Sequence, residues 1–209
     1  MQPKPMSRKE YTRHQIKEGL LYALTQNSFD KLTISKISQL AGITRATFYL
    51  HYANVTEILS ELLDDAISAA GQTDTAPNNL MIINQALQNA TTMEDLHKAY
   101  DSIFHKLPLC QRVSADPKYI PLFKDPSLSE YIINNLYYKE QTEQVNSLAH
   151  QLDISPKLAE SIFLFCVHGL YAINQQYNWQ RSDDWLLAQK ALFHFMVKGL
   201  DGLKNFTAL

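Results

Sequence analysis

Cysteine is scarce in this 209-residue sequence: Cys110 and Cys166 stand 56 positions apart, with no C-x-x-C. Such a pair neither staples a small fold nor builds a zinc site, and both are expected as reduced thiols. Long apolar runs are missing as well. The longest, residues 162–167, falls far short of the roughly 20 residues that span a bilayer, so no membrane segment is expected. The basic start of the chain, with Lys4, Arg8, Lys9 and Arg13, leads into no apolar block of the secretory type, and a cytoplasmic location is expected. Glycine and proline number only 6 and 8 and fall mostly between periodic stretches. No sustained apolar/polar alternation occurs, which leaves strands without a home and implies an all-helical chain. A composition of 45% hydrophobic and 19% charged residues suits a globular chain of one large domain or two small ones.

The net charge of -2 hides an asymmetry. Through residue 52 there are eight Lys/Arg against three Asp/Glu; beyond it there are eleven against eighteen. Two modules with different partners would give that split. A basic first quarter points weakly toward nucleic acid, because attraction to phosphates supplies most non-specific binding. A solvated face explains the charge equally well.

Ile16, Leu20, Ala23 and Leu24 make a helical stripe that stops near residues 27–30. Thr33 caps a short helix holding Ile34, Ile37 and Leu40, closed by Gly42, and Thr44 caps the next, which runs to about Tyr52. Val55, Ile58, Leu59, Leu62, Leu63, Ala66 and Ile67 mark a longer fourth helix with one apolar face. Residues 71–79 read as a loop, followed by helices at about 80–89 and 93–107. Pro108, Pro117, Pro121 and Pro126 break the next stretch into short pieces. Longer helices resume at about 127–152, 156–177 and 183–203.

The segment from Thr33 to Tyr52 has the grammar of a helix-turn-helix, whose second helix enters the major groove and offers its first residues to base edges. Ile37, Leu40, Ile43 and Phe48 can fix the two helices, leaving Thr44, Arg45, Ala46, Thr47, Tyr49 and His51 outward. Arg45 can read guanine bidentately, Thr47 and Ala46 can meet a thymine methyl, and Tyr49 and His51 can donate to phosphate oxygens.

Across residues 8–63 the sequence resembles the amino-terminal domain of the TetR family of transcriptional regulators. The resemblance is carried by Leu32-Thr33-Ile34-Ser35-Lys36-Ile37-Ser38, by Ala41-Gly42-Ile43-Thr44-Arg45-Ala46-Thr47-Phe48-Tyr49-Leu50-His51-Tyr52, and by Asn54 with Glu57-Ile58-Leu59. It implies an all-α chain: a three-helix helix-turn-helix DNA-binding domain at 1–53, followed by a helical ligand-binding and dimerisation domain at 54–209. It also implies that Thr33 touches phosphate at a helix amino terminus. Many members place a phosphate-contacting lysine at the start of the fourth helix, where this sequence has Val55.

The last two long helices are apolar on more than one face, and a four-helix interface across a two-fold axis would cover them. Phe165, Gly169, Ala172, Leu192, Phe195, Met196 and Gly199 are the expected interface residues. For an effector pocket, His97, Tyr100, Phe104 and His105 from one helix are candidates, joined by Tyr137, His168 and Tyr171; ordinary packing accounts for each equally simply. A single Glu-x-x-His, Glu94 with His97, falls short of the two such motifs and two further glutamates of a di-iron bundle, so no metal or other cofactor is expected. No Gly-rich phosphate loop and no G-x-S-x-G support an enzyme.

The expected protein is thus a homodimeric regulator, a repressor bound to double-stranded DNA at a palindromic operator and released by a small-molecule effector. Two rivals remain: a DNA-anchored protein-interaction factor that needs no ligand, and a helical-bundle enzyme.

Overall fold

The computed structural model describes residues 6–71 and 79–203; most of the expected loop at 71–79 lies outside them. No strand occurs among the described residues, and the chain is all-α as its periodicity implies. The helices are α1 (Arg8–Leu24), α2 (Ile34–Leu40), α3 (Arg45–Tyr49), α4 (Val55–Ala69), α5 (Asn79–Asn89), α6 (Met93–Ser102), α7 (Leu109–Val113), α8 (Ile120–Lys124), α9 (Ser129–Leu152), α10 (Pro156–Gln176) and α11 (Asp183–Leu203). The single helix expected at 93–107 ends early at Ser102. Pro108 holds Leu107 extended, and residues 104–106 tighten into one 3-10 turn instead.

Two compact units form. The first holds α1 to α4 and returns at residues 116–132; the second holds residues 70–115 and 133–209. The expected boundary after residue 53 therefore matches neither unit. The amphipathic α4 buries Ile58, Leu59, Leu62 and Leu63 almost completely, so it is part of the first unit's core. Asp125 brings the later segment back to the same unit. Its buried carboxylate accepts the Phe29 amide at 2.6 Å, the Ser28 hydroxyl at 3.2 Å and the Ser127 amide at 2.9 Å. Lys118 adds a 2.9 Å ion pair to Glu18.

Inside the first unit, α1 begins in a capping box: the Ser7 hydroxyl accepts the Glu10 amide while the Glu10 carboxylate accepts the Ser7 amide. α1 and α2 approach closely at Gly19, where an added Cβ would stand 3.3 Å from both the Ala41 nitrogen and the Ile37 oxygen. Gly42 takes φ +66 in the turn between α2 and α3, a conformation glycine adopts without steric cost.

The second unit packs its aromatic residues in pairs. Tyr100 meets Trp185 edge-on at 5.0 Å, Tyr137 stacks on Phe163 at 5.4 Å, and Tyr171 meets Trp179 at 4.9 Å. A buried polar chain runs among them: the Tyr100 hydroxyl donates to Gln111, whose amide donates to Gln189, each at 2.7 Å. The Trp185 indole donates to Asn174 at 2.9 Å.

α10 is long and apolar enough, by length and composition, to cross a membrane, although the longest uninterrupted apolar run lies far below that length. Its apolar character reflects two faces rather than one. Phe163 and Leu170 are buried, whereas Leu164 and Phe165 are 43% and 67% exposed.

Candidate nucleic-acid interface and effector cavity

Hydroxyl caps set both helices of the helix-turn-helix. Thr33 Oγ1 accepts the Lys36 amide at 3.2 Å, and Thr44 Oγ1 accepts the Thr47 amide at 3.0 Å, so each satisfies a donor the helix itself leaves unpaired. Thr44 and Thr47 also bond each other through their hydroxyls at 2.9 Å. Ile37 and Phe48 are fully buried between the helices, while Leu40 and Ile43, expected beside them, are half-buried.

With that core fixed, Thr33, Thr44, Arg45, Ala46 and Tyr49 are exposed, and Thr47 and His51 are half-buried. His51 Nδ1 is buried without a hydrogen-bond partner, and burial, reinforced by Arg13 and Lys9, holds its pKa below the ordinary imidazole value. Leu50 is absent from the expected set, yet it is 79% exposed beside Tyr49 at the end of α3. The signal was available: Phe48 faces inward, so Leu50, two residues on, falls on a different side of the helix.

The end of α3 is held by a cluster reaching in from α1 and α4. Arg13 donates to the His51 carbonyl at 3.1 Å, pairs with Glu61 and lies 4.4 Å over the Tyr52 ring. Glu61 also accepts from Lys17 at 3.0 Å and from the Tyr52 hydroxyl at 2.9 Å. Burial pushes the Glu61 carboxyl up, but the bonds from Arg13, Lys17 and Tyr52 outweigh it and bring it down to about 2. Burial and the bond to Glu61 push the Tyr52 phenol well up. Val55 is half-buried at the start of α4, where Asn54 Oδ1 accepts the Glu57 amide.

The second unit encloses a cavity of about 110 Å³. One stripe of α9, Leu136, Glu140, Gln144 and Leu148, faces it at four-residue spacing. Leu80 and Ile83 from α5, Leu107 and Cys110 around α7, Ile162, Phe163, Cys166 and Leu170 from α10, and Met196 and Leu200 from α11 complete most of the wall. Both thiols thus line one space. Burial pushes Cys110 up to about 12 and Cys166 to about 11, which keeps them protonated near neutral pH and disfavours nucleophilic chemistry.

None of the seven residues expected to line an effector pocket borders this cavity. His97 is exposed in a 2.9 Å pair with Asp183, and His105 and His168 are exposed. Tyr100 is taken up by Gln111, and Phe104 lies 5.4 Å beneath Arg181. Tyr137 bonds Glu160 at 3.2 Å and stacks on Phe163, while Tyr171 packs on Trp179. Tyr100, Tyr137 and Tyr171 are thus packed in the interior beside other side chains, whereas the three histidines lie at the surface. Glu94 pairs with Lys98, and among the described residues no group of three or more His, Cys, Asp or Glu is placed to hold a metal ion.

Of the expected interface residues, Phe165, Gly169, Ala172, Phe195 and Gly199 are exposed, with Phe165 and Phe195 at 67% and 63%. Leu192 is half-buried. Met196 is buried and borders the cavity instead, because it stands about 100° round α11 from the exposed Phe195.

No family model matches the chain, and no curated protein matches it. Among solved structures the chain is similar to the TetR family repressor AlkX from Dietzia sp. strain DQ12-45-1b, implicated in biodegradation of n-alkanes. That match has 14% identity and a TM-score of 0.42, over 92% of this chain and 97% of that one. It is similar also to the dihydroxyacetone kinase operon activator DhaS, at 18% identity and a TM-score of 0.41, over 94% of this chain and 98% of that one.

Proposed function

We propose that this protein is a DNA-binding transcriptional regulator of the TetR type, acting as a repressor that reads a palindromic operator as a homodimer. The observation that carries the reading is the display of α3: Arg45, Ala46, Tyr49 and Leu50 are exposed on a helix capped by Thr44 at one end and held at the other by Arg13. Arg45 reads a guanine, Ala46 and Thr47 meet thymine methyls, and Thr33, Tyr49 and His51 contact phosphates. The exposed apolar residues of α10 and α11 meet their equivalents across the two-fold axis. A small molecule in the cavity of the second unit releases the operator, by as much as its affinities for the DNA-competent and incompetent states differ.

Selection of bound duplexes from a random library, with the full chain, tests this reading. The expected product is a palindrome with one discriminated guanine per half-site, and Arg45→Ala relaxes that position alone, at a cost of about 1–3 kcal/mol. Equal weakening on every sequence would make Arg45 a phosphate contact, and no enrichment at all would remove DNA from the account. The same exposed Phe165 and Phe195 also favour a second reading, a DNA-anchored protein that acts through a different protein partner and needs no effector.

A further inference from the structure

One face of α1 carries a basic stripe: Lys9, Arg13 and Lys17 stand at four-residue spacing, so they lie one above the other along the helix. Two of the three are neutralised from α4. Arg13 pairs with Glu61, and Lys17 pairs with Glu61 at 3.0 Å and with Asp65. Lys9 is exposed and meets no carboxylate among the described residues. The acidic groups nearby are engaged elsewhere: Glu10 accepts the Ser7 amide at 2.8 Å, and Glu57 accepts the Ala53 amide at 2.7 Å. Arg13 also fixes where the stripe lies, because it donates to the His51 carbonyl at the end of α3. Lys9 therefore sits one turn, about 5.4 Å, toward the amino end of α1 from that contact. Its charge reaches the imidazole: burial first, then Arg13 and Lys9, hold His51 below its ordinary pKa. His51 has Nδ1 buried without a partner. A proton on Nδ1 would be a buried donor with no acceptor, so the ring stays neutral. Its one N–H then sits on Nε2, on the part of the half-buried side chain that solvent reaches.

We propose that Lys9 and His51 grip one DNA backbone phosphate between α1 and the end of α3, Lys9 as a charged donor and His51 through a neutral Nε2–H. Lys9 is then a DNA contact outside the helix-turn-helix, and it brings from α1 a charge that the half-buried Val55 does not bring from the start of α4. An exposed ammonium that meets a phosphate releases a condensed counterion, whereas Arg13 and Lys17, already paired within the protein, add nothing of the kind. The neutral histidine fixes position without adding to the salt dependence. Both groups touch the backbone, so neither carries sequence preference.

This inference rests on the DNA-binding reading above, and its test needs neither an operator nor an effector. The full chain is titrated with a duplex of random sequence over a series of salt concentrations. Lys9→Ala is expected to weaken binding several-fold and to lower the slope of log affinity against log salt by about 0.9 per bound subunit, while Lys9→Arg keeps the slope. His51→Gln is expected to weaken binding with the slope unchanged. The double variant loses less than the two single losses multiplied, because both groups hold one phosphate. In the chain without DNA, the imidazole nitrogen resonances that His51→Gln removes are expected to show the Nε2–H tautomer. An unchanged slope in Lys9→Ala would overturn the Lys9 contact. An Nδ1–H tautomer, or a slope lowered in His51→Gln as well, would overturn the neutral donor, and fully multiplicative losses would place the two groups on separate phosphates and overturn the shared grip. If the wild type binds no duplex, the DNA-binding reading falls with the inference; if it binds and only these variants fail to differ, the inference falls alone.

Discussion

Leu50 shows how one side chain changes what α3 can read. A leucine left 79% exposed on a helix that otherwise offers Arg45, Ala46 and Tyr49 gives the surface a hydrocarbon element larger than Ala46, and thymine's methyl is the apolar group on a base edge. Replacing thymine by uracil at successive positions of a selected operator is expected to weaken wild-type binding by about 1 kcal/mol at one position per half-site, on the scale of a buried methyl group. Leu50→Ala removes that difference at the same position. A uracil effect unchanged in Leu50→Ala would place Leu50 outside the groove.

Val55 poses a similar question with the opposite sign. It occupies the position where the family resemblance leads one to expect a phosphate-contacting lysine, and the structure leaves it half-buried, with Ile58 and Leu59 of the same helix fully covered. Val55→Lys is expected to bring its ammonium outward along a flexible stem and to strengthen binding to all DNA, with little change in sequence preference. Each added phosphate contact steepens the slope of log affinity against log salt by roughly 0.9. An unchanged slope with a lower Tm would make Val55 a packing residue.

Among the elements, α1 is more than a scaffold. Through Arg13 it fixes the carbonyl at the end of α3, and Glu61 of α4 fixes Arg13 in turn. Glu61 titrates at about 2 in the folded protein, below its ordinary value of 4.5. The protons bound in the unfolded state exceed those in the folded state between these values, so the carboxylate's contribution is whole above pH 4.5 and is lost as pH falls toward 2. Glu61→Gln is expected to cost about 1–2 kcal/mol near neutrality, because Arg13 and Lys17 lose a charged acceptor. Thermal unfolding of both proteins from pH 6 to pH 2 checks this: the gap between them narrows with acid. A gap that stays constant would mean that Glu61 contributes by shape alone.

The start of α1 is a capping box of Ser7 and Glu10, a pair whose spacing is visible in the residues, although the apolar stripe from Ile16 by itself marks only the later part of the helix. The caps Thr33 and Thr44 were legible in the sequence, because capping depends on one side chain and the amides just after it. The break after Ser102 was missed. It falls at Ile103, whose φ of -101 and ψ of 11 leave the helical region, while Pro108 holds Leu107 extended further on.

At the scale of the molecule, the exposed face of α10 and α11 makes association testable apart from folding. Nothing lies within 4 Å of a Cβ built on Gly169, so Gly169→Asp fits the single chain without a clash. If two copies meet there, the carboxylate is buried without a partner and the dimer is weakened by several kcal/mol, while the unfolding of the dissociated chain is unaltered. Sedimentation over a concentration series reads the change. Equal association by wild type and variant would put the interface elsewhere.

Helical class, the caps and the helix-turn-helix followed from the sequence by itself, because each depends on residues within one or two turns of each other. Of the outward set around α3, Thr44, Arg45, Ala46 and Tyr49 followed for the same reason, whereas Thr47 and His51 are half-buried and Leu50 was not in it. Tertiary structure alone decided that residues 116–132 return to the first unit, since the bond of Asp125 to Phe29 joins positions 96 apart and leaves no local pattern. It alone decided the cavity as well. Tyr100, Tyr137, Tyr171 and Met196 all face inward, Met196 against the expectation that it joins the interface, but an inward side chain borders empty space only where its neighbours fail to fill it. Trp185, Phe163 and Trp179 fill the space beside the three tyrosines, and the space left over falls beside Met196, Glu140 and the two cysteines.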